Sequence, residues 1–402
     1  MWPWAASSLV VFGLVCAKAT LAASQERPWA RATGHAVPVW TAADPVPGGN
    51  SLSEARLVQP TFVLEAGAWN YLRFLGTLNL EGATMENGEL TMGAWGEGFM
   101  DRRHPHTYAH ELLLTLQDRS AGYSLSAGKG FAPFGTDDPM MRPPLRYPVN
   151  HHFAQILERA VAIAAARVGP FIAEAGLFNG DEPERPDQWP LLERFGDSWS
   201  GRITGLPLPG VELQASYAHV HSPEHRPGAG TDQSKWSLSG LWNRPIGTVP
   251  LYGLAEWART SEAEGFFVFE TFLAEGAWSP GPHRLYYRFE RTERPEEERI
   301  SQFRSRRPHL ENSILGTTRW SIHTLGYDVG LGSATGVRMR PLVELSLGTI
   351  GKVGGGLFDL EGLYGGSDFW TFSLGLRIDA GAPMPRMGRY GAARGLPMAH
   401  MH

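Results

Sequence analysis

From about Tyr71 onward the chain alternates apolar side chains with polar or small ones, in segments of roughly ten residues. In "GYSLSAGKGF", Tyr123, Leu125 and Ala127 form one set and Ser124, Ser126 and Gly128 the other. "HRLYYRFE" sets Leu285, Tyr287 and Phe289 against Arg284, Tyr286, Arg288 and Glu290. "PLVELSLG" sets Val343, Leu345 and Leu347 against Glu344 and Ser346, and "FWTFSLGLRI" repeats the pattern from Trp370 to Ile378. A period of two is that of a β-strand, whose successive side chains leave opposite faces. A soluble sandwich or lipocalin-like barrel alternates too, but it buries its apolar face. Here aromatic residues stand at segment ends, where a lipid-facing wall meets the membrane interface.

The connections have a rhythm of their own. Short turns near 118–122, 168–170, 206–210, 245–249, 280–282 and 333–336 alternate with longer connections at 132–156, 181–196, 222–233, 294–316 and 351–368. Short turns at one rim and long loops at the other are the habit of outer-membrane barrels. The pattern predicts an all-β chain: a transmembrane antiparallel up-and-down β-barrel of about 14 strands, or about 16 if "PTFVLEAGAW" adds a hairpin. It divides the chain into a signal peptide at 1–23, an N-terminal extension or early plug at 24–57, the barrel at 58–379, and a Met- and His-containing tail at 380–402.

Composition narrows the class. Gly 48, Trp 14, Phe 19 and Tyr 11 in 402 residues suit many short strands joined by turns. The one cysteine, Cys16, lies in the apolar run Ser8–Ala17, which with Leu21-Ala22-Ala23 reads as a secretory signal although no Lys or Arg precedes it. The mature chain then has no disulfide framework, thiolate metal site or cysteine nucleophile. A net charge of -5 does not favour nucleic acid. No G-x-S-x-G elbow, H-E-x-x-H or P-loop is present, so no enzyme is expected. The expected partners are outer-membrane lipid, the barrel-assembly machinery and small hydrophilic solutes.

Three stretches carry a family likeness. "AGKGFAPFGTDD", Ala127 to Asp138, holds a G-K-x-x-x-P-F-G pattern; "EAGLFNGDEP" spans Glu174 to Pro183, and "GRITGLPLPGVELQASYAHVHSPE" spans Gly201 to Glu224. Together they resemble porin-like bacterial outer-membrane proteins, including the phosphate-selective type. With "DRRHPH", a later "HH" and the F-N-G-x-E-P turn, the chain resembles a group of bacterial outer-membrane β-barrel proteins assumed to be porins or to accompany heavy-metal handling. The likeness covers roughly residues 80 to 380 and implies a passive channel. The chain departs from porins at its end, where a tail follows the last strand in place of a terminal aromatic residue.

Candidate chemistry lies in the histidines and the inward charges. His104, His106 and His110 fall in "DRRHPHTYAH", and His151 and His152 in "NHH". Both stretches flank the hairpin 110–131, so the imidazoles can converge at one rim, and neutral imidazole suits copper or zinc. The other reading is structural: polar rings tie two loops together, with Asp101 and Arg103 beside them. Parity groups His110 with the lipid-facing Leu112, Leu114 and Leu116. The tail offers Met384, Met387, Met398, His400, Met401 and His402, either a Cu(I)-type donor set or an unconstrained end. In the run 160–166, Ala160, Ala162, Ala164 and Ala166 share one face; if that face is lumenal, the loop 132–156 folds in against it.

Inward positions for a solute path are Glu158, Glu174, Glu212, Lys235, Arg284, Arg288, Glu290, Glu344 and Arg377. Both signs occur, and the basic ladder that phosphate selectivity needs is missing. The expected function is a porin-like channel for passive diffusion of small hydrophilic solutes, narrowed by 132–156. The alternative is a non-conducting barrel that binds or sequesters copper or zinc.

Overall fold

The computed structural model describes residues 27–46, 50–84, 106–118, 122–183, 185–223, 230–297, 314–332 and 336–394. The signal-peptide region 1–23 lies outside these residues. Sixteen strands close into one barrel, each antiparallel to its sequence neighbours, with β1 (Trp29–Val46) hydrogen-bonded to β16 (Asp368–Gly381). The count is therefore 16 rather than 14. The extra pair is β1 and β2 (Asn50–Ala68), built largely from the segment 24–57 that reads as an extension.

The physical reason is the low contrast of β1. Its alternation is present, with Thr33, His35, Val37, Val39, Thr41 and Ala43 buried, but the opposite face is mostly Ala, Gly and Pro38. Pro38 sits next to a register shift between His35 and Val37, the kind of irregular position at which a strand tolerates a missing N–H.

The remaining strands run in order around the wall. They are β3 (Leu72–Asn79), β4 (Ala109–Asp118), β5 (Tyr123–Gly130), β6 (Arg159–Val168), β7 (Phe171–Phe178), β8 (Ser198–Leu208) and β9 (Val211–Val220). The circuit continues with β10 (Gln233–Asn243), β11 (Leu251–Glu262), β12 (Phe267–Trp278), β13 (His283–Glu297), β14 (Ile314–Val329) and β15 (Val337–Gly356).

On most wall strands large apolar side chains face out. Leu114, Ile203 and Leu238 are more than half exposed while their neighbours Thr115, Arg202 and Ser237 are buried inside. Trp199, Tyr217 and Trp236 stand side by side on the outer face, with ring centroids 5.2 and 4.5 Å apart. A continuous apolar wall of this size is incompatible with water and matches a bilayer, with amphipathic rings toward its interface. The chain is a membrane-spanning β-barrel.

The interior is filled. The connection 131–158 between β5 and β6 enters the barrel, and every residue of it except His152 is buried. The chain after β16 also turns inward, and residues 384–390 are all buried. Met384, Met387 and Tyr390 join Phe131, Phe134 and Met140 in one apolar cluster within the barrel. The two tail thioethers therefore pack in a core; Met398, His400, Met401 and His402 lie outside the described residues. On β6 the alanine face points outward. Val161, Ile163 and Ala165 face in, and Ala165 packs against Ala392 and Ala393 of the tail. A lumenal face can be apolar here because protein, and not water, lies against it.

Candidate functional site

A backbone segment withdrawn from water must find partners for its N–H and C=O groups. The charged residues of the wall supply them to the loop 131–158. The Glu344 carboxylate accepts from the backbone N–H of Leu145 (2.7 Å) and of Arg146 (3.0 Å). Glu290 accepts from the Val149 N–H (2.6 Å) and from Arg146 Nη1 (3.1 Å). Arg288 donates to the Arg146 carbonyl at 2.5 Å, Arg377 to that of Pro143 at 3.1 Å, and Lys235 to that of His152 at 3.1 Å. Arg284 pairs with Asp328 on the neighbouring strand, its Nε 2.8 Å from the carboxylate.

The tail is held from the other side. Arg386 donates through Nε to Asp137 Oδ2 (2.7 Å) and through Nη1 to Glu212 Oε1 (2.6 Å). Arg389 donates to Asp137 Oδ1 at 3.1 Å and lies 3.5 Å from Glu174, which Arg202 grips through two bonds of 2.6 and 2.7 Å. The Tyr390 hydroxyl donates to Glu111 (2.7 Å) and accepts from the Phe131 N–H (2.9 Å). Burial alone would raise the Asp137 carboxyl; Arg386 and Arg389 beside it pull it down to about 2. Loop and tail are thus joined to each other and to the wall by charge-assisted bonds. Toward the short-turn rim a vestibule of about 310 Å³ remains, with Arg31, Arg73, Arg167 and Arg389 in its lining.

Of the nine inward positions expected from the sequence, all face the interior. Seven of them — Glu174, Glu212, Lys235, Arg288, Glu290, Glu344 and Arg377 — bind the loop, the tail or a partner engaged with them. Pattern reading missed Asp137, Arg386, Arg389 and Tyr390. Their signal was faint: two arginines and a tyrosine among methionines, in a Pro- and Gly-rich end.

The histidines sit deeper than a rim. His106 and His110 are buried, as is His151 on the short helix His151–Ala154 of the inserted loop. Parity placed His110 with the lipid-facing leucines, and a β-bulge overturns this. Thr77 of β3 pairs with Glu111 while Leu78 pairs with Ala109, so His110 is the extra residue. A bulge lets two successive side chains share one face, and His110 and Glu111 both point inward.

His110 Nδ1 lies 2.7 Å from Glu158 Oε1, and His106 Nδ1 lies 3.8 Å from the same oxygen. The Thr107 backbone N–H also donates to it at 2.8 Å. The ligand-capable atoms of His106, His110 and Glu158 all fall within 4.8 Å of one another. His152 turns away toward Glu182, 3.9 Å off. His104, Asp101 and Arg103 lie outside the described residues.

No family model matches the chain, and no curated protein matches it. Solved structures do. An anion-selective porin from Comamonas acidovorans superposes with a TM-score of 0.53 at 11% sequence identity, over 88% of this chain and 100% of that one. OprB from Pseudomonas putida gives 0.52 at 11% identity, over 88% and 94%. At such identities the likeness is one of fold. The chain has the fold of the bacterial outer-membrane porins.

Proposed function

We propose that the chain is a porin-like channel of the bacterial outer membrane for passive diffusion of small hydrophilic solutes, held in a narrowed state by its inserted loop and its C-terminal tail. One observation supports this most: the segments that fill the lumen are not wall strands, and they are held there by polar contacts rather than by ladder pairing. Loop 131–158 rests on wall carboxylates and guanidinium groups, and the tail 382–394 on Asp137, Glu212 and Glu174. With that filling removed, the inner wall would present charged groups such as Arg202, Lys235, Arg288, Glu290 and Glu344, as the polar interior of a water-filled lumen requires, beside apolar strips such as Val161 and Ile163. No catalytic role is proposed.

Mixed charge on the inner wall argues for sorting by size more than by sign, while the arginine-lined vestibule adds an anion-favouring entry at one rim. Liposome swelling with neutral sugars and with organic anions of matched size tests this reading. Variants with 136–150 replaced by a short Gly-Ser linker should admit solutes faster than the full chain. A folded barrel that admits nothing in either form would defeat the channel reading and favour the alternative, a non-conducting barrel that sequesters copper or zinc through its buried histidines.

A further inference from the structure

We propose that His106, His110 and Glu158 form a binding site for one divalent transition ion of the zinc or copper class, placed where the inserted loop meets the barrel wall. The donor set is the first ground. Two imidazoles and a carboxylate, with no thiolate among the described residues, suit zinc or copper(II) and not calcium or magnesium, which take oxygen ligands.

The geometry is the second. A tetrahedral ion with bonds of about 2.0–2.1 Å holds its ligand atoms roughly 3.3 Å apart. The two imidazole Nδ1 atoms stand 2.7 and 3.8 Å from Glu158 Oε1, which brackets that spacing. Both carboxylate–imidazole spacings lie within about 0.6 Å of that figure, and the ligand atoms of the two imidazoles fall within 4.8 Å of each other. The ion would take the place of the proton that His110 Nδ1 shares with Glu158; that proton leaves to solvent, or moves to Nε2, so that the coordinating ring stays neutral with Nε2 protonated.

The backbone is the third. Glu158 has a φ of 59°, a left-handed conformation that costs a side-chain-bearing residue energy and is kept where the surroundings over-determine it. His110 reaches the cluster only through the bulge in β4. Two local irregularities, on separate strand ends, thus bring their side chains to one point. A second carboxylate–imidazole pair stands next to it: His151 has its ring centroid 5.5 Å from that of His106, and its Nε2 lies 3.6 Å from Asp138. That pair offers a further donor for a fourth position, and His151 belongs to the inserted loop. Binding of an ion would therefore fasten the loop to the wall.

The test uses the full chain folded in detergent, with folding of each variant checked by heat-modifiable gel migration. Zn²⁺ is titrated by calorimetry, and Co²⁺ by its visible absorption. The wild type should bind one ion per chain with Kd below about 1 μM, weaker than the structural zinc sites of small domains, which bind with about 10 kcal/mol or more at neutral pH. His106→Ala lies ahead of β4 and spares the barrel wall; it should weaken binding at least about 100-fold, and Glu158→Gln should do likewise. Changing His152, or His400 and His402 together, to Ala should leave affinity unchanged. The proposal is overturned if the wild type binds Zn²⁺ no tighter than millimolar, if His106→Ala and Glu158→Gln bind as tightly as wild type, or if the tail histidines prove to be the ligands. In the first case Glu158 serves only to tie the Thr107 backbone and His110 to the wall.

Discussion

Arg386→Ala tests whether the tail is a docked plug or a permanent part of the core. Arg386 makes paired bonds to two carboxylates, Asp137 at 2.7 and 3.0 Å and Glu212 at 2.6 and 2.9 Å. Its side chain is 4% exposed, and those of Asp137 and Glu212 are 6% and 15% exposed. Removing one partner from a buried ion pair costs about 3–5 kcal/mol, because the other charge stays buried and uncompensated. Arg389 remains against Asp137, and Glu212 keeps some contact with solvent, so the lower end applies: about 3 kcal/mol.

At about 1.4 kcal/mol per decade, that moves the balance between docked and released tail roughly 100-fold. Trypsin reports it, since a released tail exposes Arg389 to cleavage. When opening and closing are fast relative to cleavage, the rate follows the open population. The variant should lose its tail about 100 times faster than wild type while β16 stays intact. Equal rates, with both chains folded, would refute the assignment of these bonds as the latch. Simultaneous cleavage within the wall would refute the view that the tail can leave alone.

The other predictions concern titration, a turn and the outer face. The Asp137 carboxyl is depressed to about 2, so its stabilising contribution to docking is complete above an ordinary carboxyl pKa of about 4 and is lost as pH falls toward 2. Tail exposure measured by quenching of a fluorophore on an added C-terminal cysteine should stay flat from pH 7 to about 4 and rise below it; a rise at pH 6 would point to the histidines instead. Gly135→Ala should loosen the inserted loop, since Gly135 has φ 65° and a Cβ there would strike the Ala154 carbonyl oxygen. Gly169→Ala, at φ 57° with open space around it, bears only the left-handed strain of about 1–2 kcal/mol, so the Gly135 variant should unfold at clearly lower urea. Leu238→Arg, on the outer face midway along β10, should cost about 2–4 kcal/mol in reversible folding into lipid vesicles; a neutral result would mean that this face does not meet the hydrocarbon.

The wall was legible because alternation is a local property. Each of "PLVELSLG" and "FWTFSLGLRI" writes its own inside and outside, and β15 and β16 follow them. β1 was not legible, because Ala, Gly and Pro on its outer face give little hydrophobic contrast. His110 was misread for a reason that parity cannot detect: one extra residue in β4 reverses the face of everything before it. The inward charges were identified from their register, but not their occupation. Whether Glu290 meets water or the Val149 N–H depends on a loop more than 130 residues earlier in the chain. The same holds for the tail, whose contacts join residues such as Arg386 and Asp137 that no sequence window spans.

The central claim is that a conducting barrel lies beneath a removable filling. Single-channel recording in planar bilayers tests it most directly, comparing the full chain with a chain ending at Gly381. The full chain should give small or rare conductance steps, and the shortened one larger, sustained steps. Identical steps from the two, or silence from a shortened chain shown to be folded, would contradict it.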